Sequence, residues 1–156
     1  MNDAKFAYVI YIDASPEKIW NALLDVEFTH EYWGGENISD WKVGSDWEHR
    51  RADDPGTVNM VGEVLVCEPP KQLVLSWAAP ADKNDRARHT RVAITLEPVG
   101  AMVRLTVNHD EFEHAPEMLA RISGGWPWVL SSLKSLLETG RPLPPLKKDA
   151  AVNSCR

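Results

Sequence analysis

Few residues in this chain have the types and spacing to do bond chemistry, and the richest run is His109-Asp110-Glu111-Phe112-Glu113-His114. A histidine beside carboxylates can act as a general base, and histidines interleaved with acids offer ligands to a metal. Spacing decides between these uses. The run ends an alternating strand, in which neighbouring side chains go to opposite faces, so these groups do not converge on one ion and the pattern makes no metal site. His109 shares the parity of Val103, Leu105 and Val107 and points toward the apolar face. There it could orient the polar end of a ligand or take a proton. No partner at a fixed offset marks it as a base, so the expectation is a histidine at the rim of that face, hydrogen-bonded to backbone.

The other polar candidates read as surface or as ordinary structure. His89 has the parity of Arg91 and Thr95, which places it outside, and Glu48-His49-Arg50-Arg51 runs into a polar turn, so both histidines read as exposed. His30 and Glu31 are adjacent on a short helix and do not face each other. Ser123, Ser131, Ser132 and Ser135 have no histidine at a defined offset. The chain has no phosphate-cradling glycine loop, no nucleophile elbow and no paired-carboxylate motif, and nothing calls for a cofactor. Cys67 and Cys155 lie far apart and read as free thiols. Asn37-Ile38-Ser39 matches a glycosylation sequon, but without a secretory signal it reads as a loop.

The unusual count is seven tryptophans, at 20, 33, 41, 47, 77, 126 and 128. Strand parity for Trp41, Trp47, Met60, Trp77, Ile94, Leu105 and His109, and helical spacing for Trp126, Leu130 and Leu133, put these ten on facing surfaces that are the candidate ligand-facing wall. The same rings could simply fill a core. An empty cavity of roughly 300 Å³ costs about 7 kcal/mol at about 24 cal/mol per Å³, against a typical domain stability of roughly 5 to 15 kcal/mol. A large cavity must therefore be wet, occupied or offset elsewhere, and pocket and plug stay level for each tryptophan.

The elements that position these residues follow from period and punctuation. Lys5 to Ile12 alternates and reads as a strand with both faces partly covered, Phe6, Tyr8, Ile10 and Ile12 lying on one side. Ser15-Pro16-Glu17 starts a helix carrying Ile19, Trp20, Leu23 and Leu24 on one face, and a second helical turn from Phe28 to Tyr32 stops at Gly34-Gly35. From Trp41 to Asp110 the period is two, broken at Asp53 to Gly56, Glu68 to Pro70, Pro80 to Arg86 and Pro98 to Gly100, which predicts five successive strands. Their dry face carries Trp41, Val43, Trp47, Val58, Met60, Val64, Val66, Leu73, Leu75, Trp77, Val92, Ile94 and Leu96, and then Val103, Leu105 and Val107. A long amphipathic helix follows Ala115-Pro116, with a kink or fresh start expected at Gly124-Gly125 and Pro127 and a cap at Gly140.

The chain has 156 residues, 44% of them apolar, with 17 basic against 23 acidic side chains. That is one domain, expected over 1–143 with a disordered tail over 144–156, and it is long enough to bury roughly 70% of its unfolded surface without a staple. A net charge of -6 argues against nucleic acid or anionic lipid as the main partner. The start of the chain carries no signal-peptide pattern and no run reaches a membrane span, so a cytoplasmic location is expected. Unpaired sheet edges fit a monomer or a homodimer.

The order strand, two short helices, antiparallel strands and long final helix resembles the helix-grip α+β fold of the START-related and birch-pollen-allergen (SRPBCC) superfamily. Ala14-Ser15-Pro16-Glu17-Lys18-Ile19-Trp20, Tyr32-Trp33-Gly34-Gly35, and the stretch from Gly125-Trp126-Pro127-Trp128 to Gly140 are similar to bacterial members of the activator of heat-shock-protein-90 ATPase homologue-like family. The resemblance spans about positions 5 to 143. It implies a curved sheet wrapped on the last helix, with an interior that in relatives holds lipids, sterols or polyketides. The leading expectation is binding of a small apolar or amphipathic molecule between sheet and helix without catalysis. The alternatives are an enzyme of cyclase, hydratase or hydrolase type using His109, or a partner that stimulates a heat-shock ATPase.

Overall fold

The computed structural model describes residues 4–144 apart from position 55. The tail expected over 144–156, with Cys155, lies outside the described residues beyond 144. Strand β1 (Phe6–Ile12) turns Phe6, Tyr8, Ile10 and Ile12 to the core. Its other face, with Val9 and Tyr11, is exposed, so only one side is covered rather than two. Ser15 caps helix α1 (Pro16–Leu24) by accepting the Lys18 N–H. Asp25 then serves two helices at once. Its N–H donates to the last turn of α1 at Asn21, and its carboxylate accepts the Glu27 N–H at the start of α2 (Val26–Tyr32).

Six more strands follow: β2 (Gly35–Ile38), β3 (Asp46–Arg51), β4 (Val58–Glu68), β5 (Gln72–Trp77), β6 (Thr90–Val99) and β7 (Met102–Asp110). They form one curved antiparallel sheet in the order β1-β7-β6-β5-β4-β3-β2. β1 and β2 thus hold opposite edges. Helices α1 and α2 carry the chain from one edge to the other, and β2 to β7 meander back. The five strands expected between 41 and 110 are present. The short β2, Gly-Glu-Asn-Ile, lacks the alternation that would announce it and forms by pairing with β3.

Helix α3 (Glu117–Thr139) closes the concave face, burying Met118, Ile122, Trp126, Val129, Leu130, Leu133, Leu136 and Leu137. It runs without interruption through Gly124, Gly125 and Pro127, so no fresh helix starts there. Gly140 caps it in the left-handed region at φ 84°, donating its N–H to Leu136.

Several facings differ from simple alternation. Trp41 and Val43 belong to no strand: side chains of Ser39 and Asp40 accept the N–H groups of Trp41 and Lys42, an alternative to ladder pairing. Trp41, at φ 62°, is half-buried at the rim of the core, and Val43 is exposed. Register shifts at His49/Arg50 and Val64/Val66 turn both ends of β4. Val58 and Val66 therefore leave the core face, and Cys67, opposite Leu73, packs against it.

Gly62 has a steric task. It lies opposite Trp47, whose indole crosses β4 and donates to the Ser76 carbonyl at 2.9 Å, while Ser76 Oγ accepts the Glu63 N–H at 2.8 Å. Side chains thus replace ladder bonds between the Val64–Leu75 pair and the Val61–Ala78 bridge. A Cβ at Gly62 would strike both the Ser76 carbonyl and the Trp47 indole nitrogen. Gly62→Ala should cost about 3 kcal/mol and lower the melting temperature by roughly 6 to 12 °C in a thermal scan.

The β1 edge is guarded by α3. Lys134 Nζ donates to the Tyr11 carbonyl at 2.7 Å, Glu138 accepts the Asp13 N–H at 2.8 Å, and the two side chains pair at 2.6 Å. The Tyr11 carbonyl belongs to the edge strand and the Asp13 N–H lies just past its end, at the edge where another chain would pair. A Lys134→Ala/Glu138→Ala double variant should self-associate with rising concentration in light scattering, whereas the parent does so less.

Candidate functional site

The polar centre of the interior is a relay across four elements. Trp126 on α3 donates its indole N–H to His109 Nδ1 at 3.3 Å. Nδ1 therefore carries a lone pair, and the ring proton sits on Nε2, which donates to Thr90 Oγ1 at 2.7 Å. Thr90 in turn donates to the Trp77 carbonyl at 2.8 Å. His109 is fully buried, and burial pushes its pKa down to about 3. It is a neutral imidazole with both nitrogens engaged, so its one basic lone pair is already taken. It lies deep in the core, bonded to side chains, and not at a rim bonded to backbone.

Aromatic rings pack around that relay. His109 stacks on Phe112 at 5.0 Å and meets Trp77 edge-on at 5.7 Å. Trp77 contacts Trp47 at 5.0 Å, Trp126 at 5.3 Å and Trp33 at 6.3 Å, and Trp33 meets Trp126 at 5.6 Å. Indoles from α3, from two strands and from the α2–β2 connection therefore meet one another between sheet and helix. Aromatic pairs of this kind contribute about 0.5–1.5 kcal/mol beyond their burial.

His49 forms the far end of the cluster, 4.8 Å from Trp33. Its Nδ1 lies 2.7 Å from Asn37 Oδ1, which can only accept, so Nδ1 holds the proton. Nε2 has no partner and faces Gly35, where a Cβ would collide with it. Burial lowers the His49 pKa to about 4. The reading of His49 as surface is corrected: it shares the parity of Trp47, which was the signal to follow. His89 is also buried, although its outward parity holds. The 79–89 connection folds over it, with Nδ1 3.0 Å from Ser76 Oγ and Nε2 near the carbonyls of Asp82 and Lys83.

Of the wall drawn from sequence, Trp47, Met60, Trp77, Ile94, Leu105, His109, Trp126, Leu130 and Leu133 are all buried in one core cluster or, for His109, against it. Trp41 stays at the rim. Trp33, Tyr32 and Phe112 were not on that wall, because none sits on a predicted strand or on the long helix. Thr90 was legible, since it has the inward parity of Val92 and Ile94. Two donors inside the cluster bond to nothing: the Tyr32 hydroxyl, which burial keeps protonated, and the Trp77 indole N–H.

A family model described as Activator of Hsp90 ATPase homolog 1-like protein matches residues 13–138. The chain belongs to that family. A comparison with curated proteins finds no match. Among solved structures, the Aha1 dimer from Colwellia psychrerythraea is 25% identical, with a TM-score of 0.71 over 88% of this chain and 98% of that one. CalU16 from Micromonospora echinospora is 22% identical, with a TM-score of 0.71 over 94% of this chain and 72% of that one. An Hsp90 activator from Plasmodium falciparum is 20% identical, with a TM-score of 0.68 over 85% of this chain and 95% of that one. The last two show the helix-grip fold alone. No helix among the described residues of this Hsp90-activator-homologue domain is long and apolar enough to cross a membrane.

The two core histidines make stability depend on pH. Both stay neutral in the fold, at about 4 and about 3, while in the unfolded chain they titrate near 6.5. Below that value the unfolded state binds more protons, so stability is complete above it and falls as pH drops toward the folded values. By pH 5 the loss should be about 2 kcal/mol per histidine. Urea midpoints at pH 7 and pH 5 measure it, and His109→Gln should remove about half of the difference.

Proposed function

We propose that this domain binds a small amphipathic molecule between the sheet and α3 and holds it without covalent chemistry. One observation carries the reading. The Tyr32 hydroxyl and the Trp77 indole N–H are buried donors without partners, inside an otherwise aromatic interior. Each unpaired buried donor costs about 1–3 kcal/mol. A guest with a flat apolar body and an oxygen acceptor would lie against the indole faces and relieve that cost. The proposed contacts are Trp47, Met60, Trp77, Ile94, Leu105, Trp126, Leu130 and Leu133, with Trp41 at the rim and His109 holding Trp126 in place.

Because the indoles touch one another, a guest must displace a ring to enter. Trp33 is the candidate, since it belongs to a connection, whereas His109 holds the Trp126 indole. Binding should therefore change tryptophan fluorescence. The occupied lone pair of His109 weighs against a histidine-base enzyme in this interior. The family match favours a second reading, stimulation of a heat-shock ATPase, and unchanged ATP hydrolysis by an Hsp90 mixed with this protein would remove it.

The test is native mass spectrometry of freshly purified protein, followed by fluorescence titration with oleate and anilinonaphthalene sulfonate. A reproducible small-molecule adduct or a saturable quench is expected, and Leu133→Asp should weaken probe binding by about tenfold or more. A clean unliganded mass together with no saturable response to either probe would refute interior binding.

A further inference from the structure

On the face of the sheet away from α3, a pocket of about 270 Å³ lies between two walls. One is the cross-strand pair Asp46 and Glu63, and the other is formed by Lys83, Asn84, Arg86 and His89 of the 79–89 connection. Side-chain bonds tie that connection to the rest of the domain. Arg86 pairs with Glu63, and Arg88 binds the carboxylates of Asp82 and Glu117 and the His114 carbonyl. His89 pins it from beneath through Ser76, Asp82 and Lys83. A site tied down in this way lowers the ordering cost that weakens most surface contacts.

Three side chains in this fixed frame are unused: Asp46, Lys83 and Asn84 have no hydrogen-bond or ion-pair partner among the described residues. Asp46 stands directly across from Glu63, a repulsive arrangement of two carboxylates of which Arg86 neutralises only one. A simple anion would meet Asp46 and Glu63. A simple cation would meet Lys83 and Arg86, and an apolar molecule would strand all of them. The pocket is open to solvent on one side and large enough to admit a molecule of amino-acid size.

We propose that this outer pocket binds a small zwitterion of the free amino-acid class. Its ammonium group pairs with Asp46 and its carboxylate with Lys83, beside the Asn84 amide. The site is separate from the interior and does not depend on the reading given for it.

The experiment is a titration of ¹⁵N-labelled protein with L-glutamine, and separately with acetate and with methylammonium, following the amides of Asp46, Lys83 and Asn84. Saturable shifts with glutamine are expected, with affinity about tenfold weaker in Asp46→Asn and in Lys83→Gln, and weaker still for either half-ligand. Both substitutions lie on the surface, and the same spectra verify the fold. Absence of saturable shifts would overturn the proposal, as would equal affinity in both variants or equal binding of the half-ligands.

Discussion

The structure depends on one buried imidazole that must stay neutral. His109 joins α3 to β7, β6 and β5 through Trp126, Thr90 and the Trp77 carbonyl, and it can do so only with its proton on Nε2 and its lone pair on Nδ1. A hydrogen-bonded chain in a low-dielectric interior is costly to leave half-made, so each member fixes the rotamer of the next. Within the core the helix is thereby indexed against the central strands at this relay, and the apolar residues of both faces pack around it. The polarity that makes His109 look catalytic is spent on this indexing.

The same economy governs the tryptophans. Trp47 reaches the Ser76 carbonyl only because Gly62 leaves room, and Trp126 meets Trp77 and Trp33 only because His109 holds its nitrogen. Rings that are tied at one end fill space without being free to collapse further. On the proposed reading, a guest in such an interior has to replace a ring face and supply an acceptor. Tyr32 and Trp77, the two donors left unpaired, lie within that constraint and not at its edge.

Away from the core, ionic contacts act on geometry more than on stability. Exposed pairs contribute roughly 0–1 kcal/mol. Lys134 and Glu138 matter because they occupy backbone groups at the edge of the sheet, and Arg86 and Arg88 because they fix a connection that would otherwise be an ordinary loop. In both places long side chains close off alternatives, another β-strand in one case and a collapsed surface in the other.

Much of this was legible in the residues themselves. Period-two alternation determined five strands and the facing of Met60, Trp77, Ile94, Leu105 and His109, and period 3.6 determined which side of α3 meets the sheet, because side-chain direction follows directly from backbone geometry. Ser15, Pro16 and Gly140 marked helix ends by local bonding alone. Parity also contained His49 and Thr90. Other features had no local signature. Val58 and Val66 changed face through bulges set by the neighbouring strands, β2 exists only as a partner of β3, and Trp33 reached the core from a connection. His89 became buried because the connection that leads into it folded back over its ring, and the protonation state of His109 was chosen by Trp126 and Thr90. Within an unbroken strand or helix, direction is a property of one residue and its backbone; bulges, depth, hydrogen-bond partners and proton positions depend on contacts between separate segments, so only the tertiary structure could decide them.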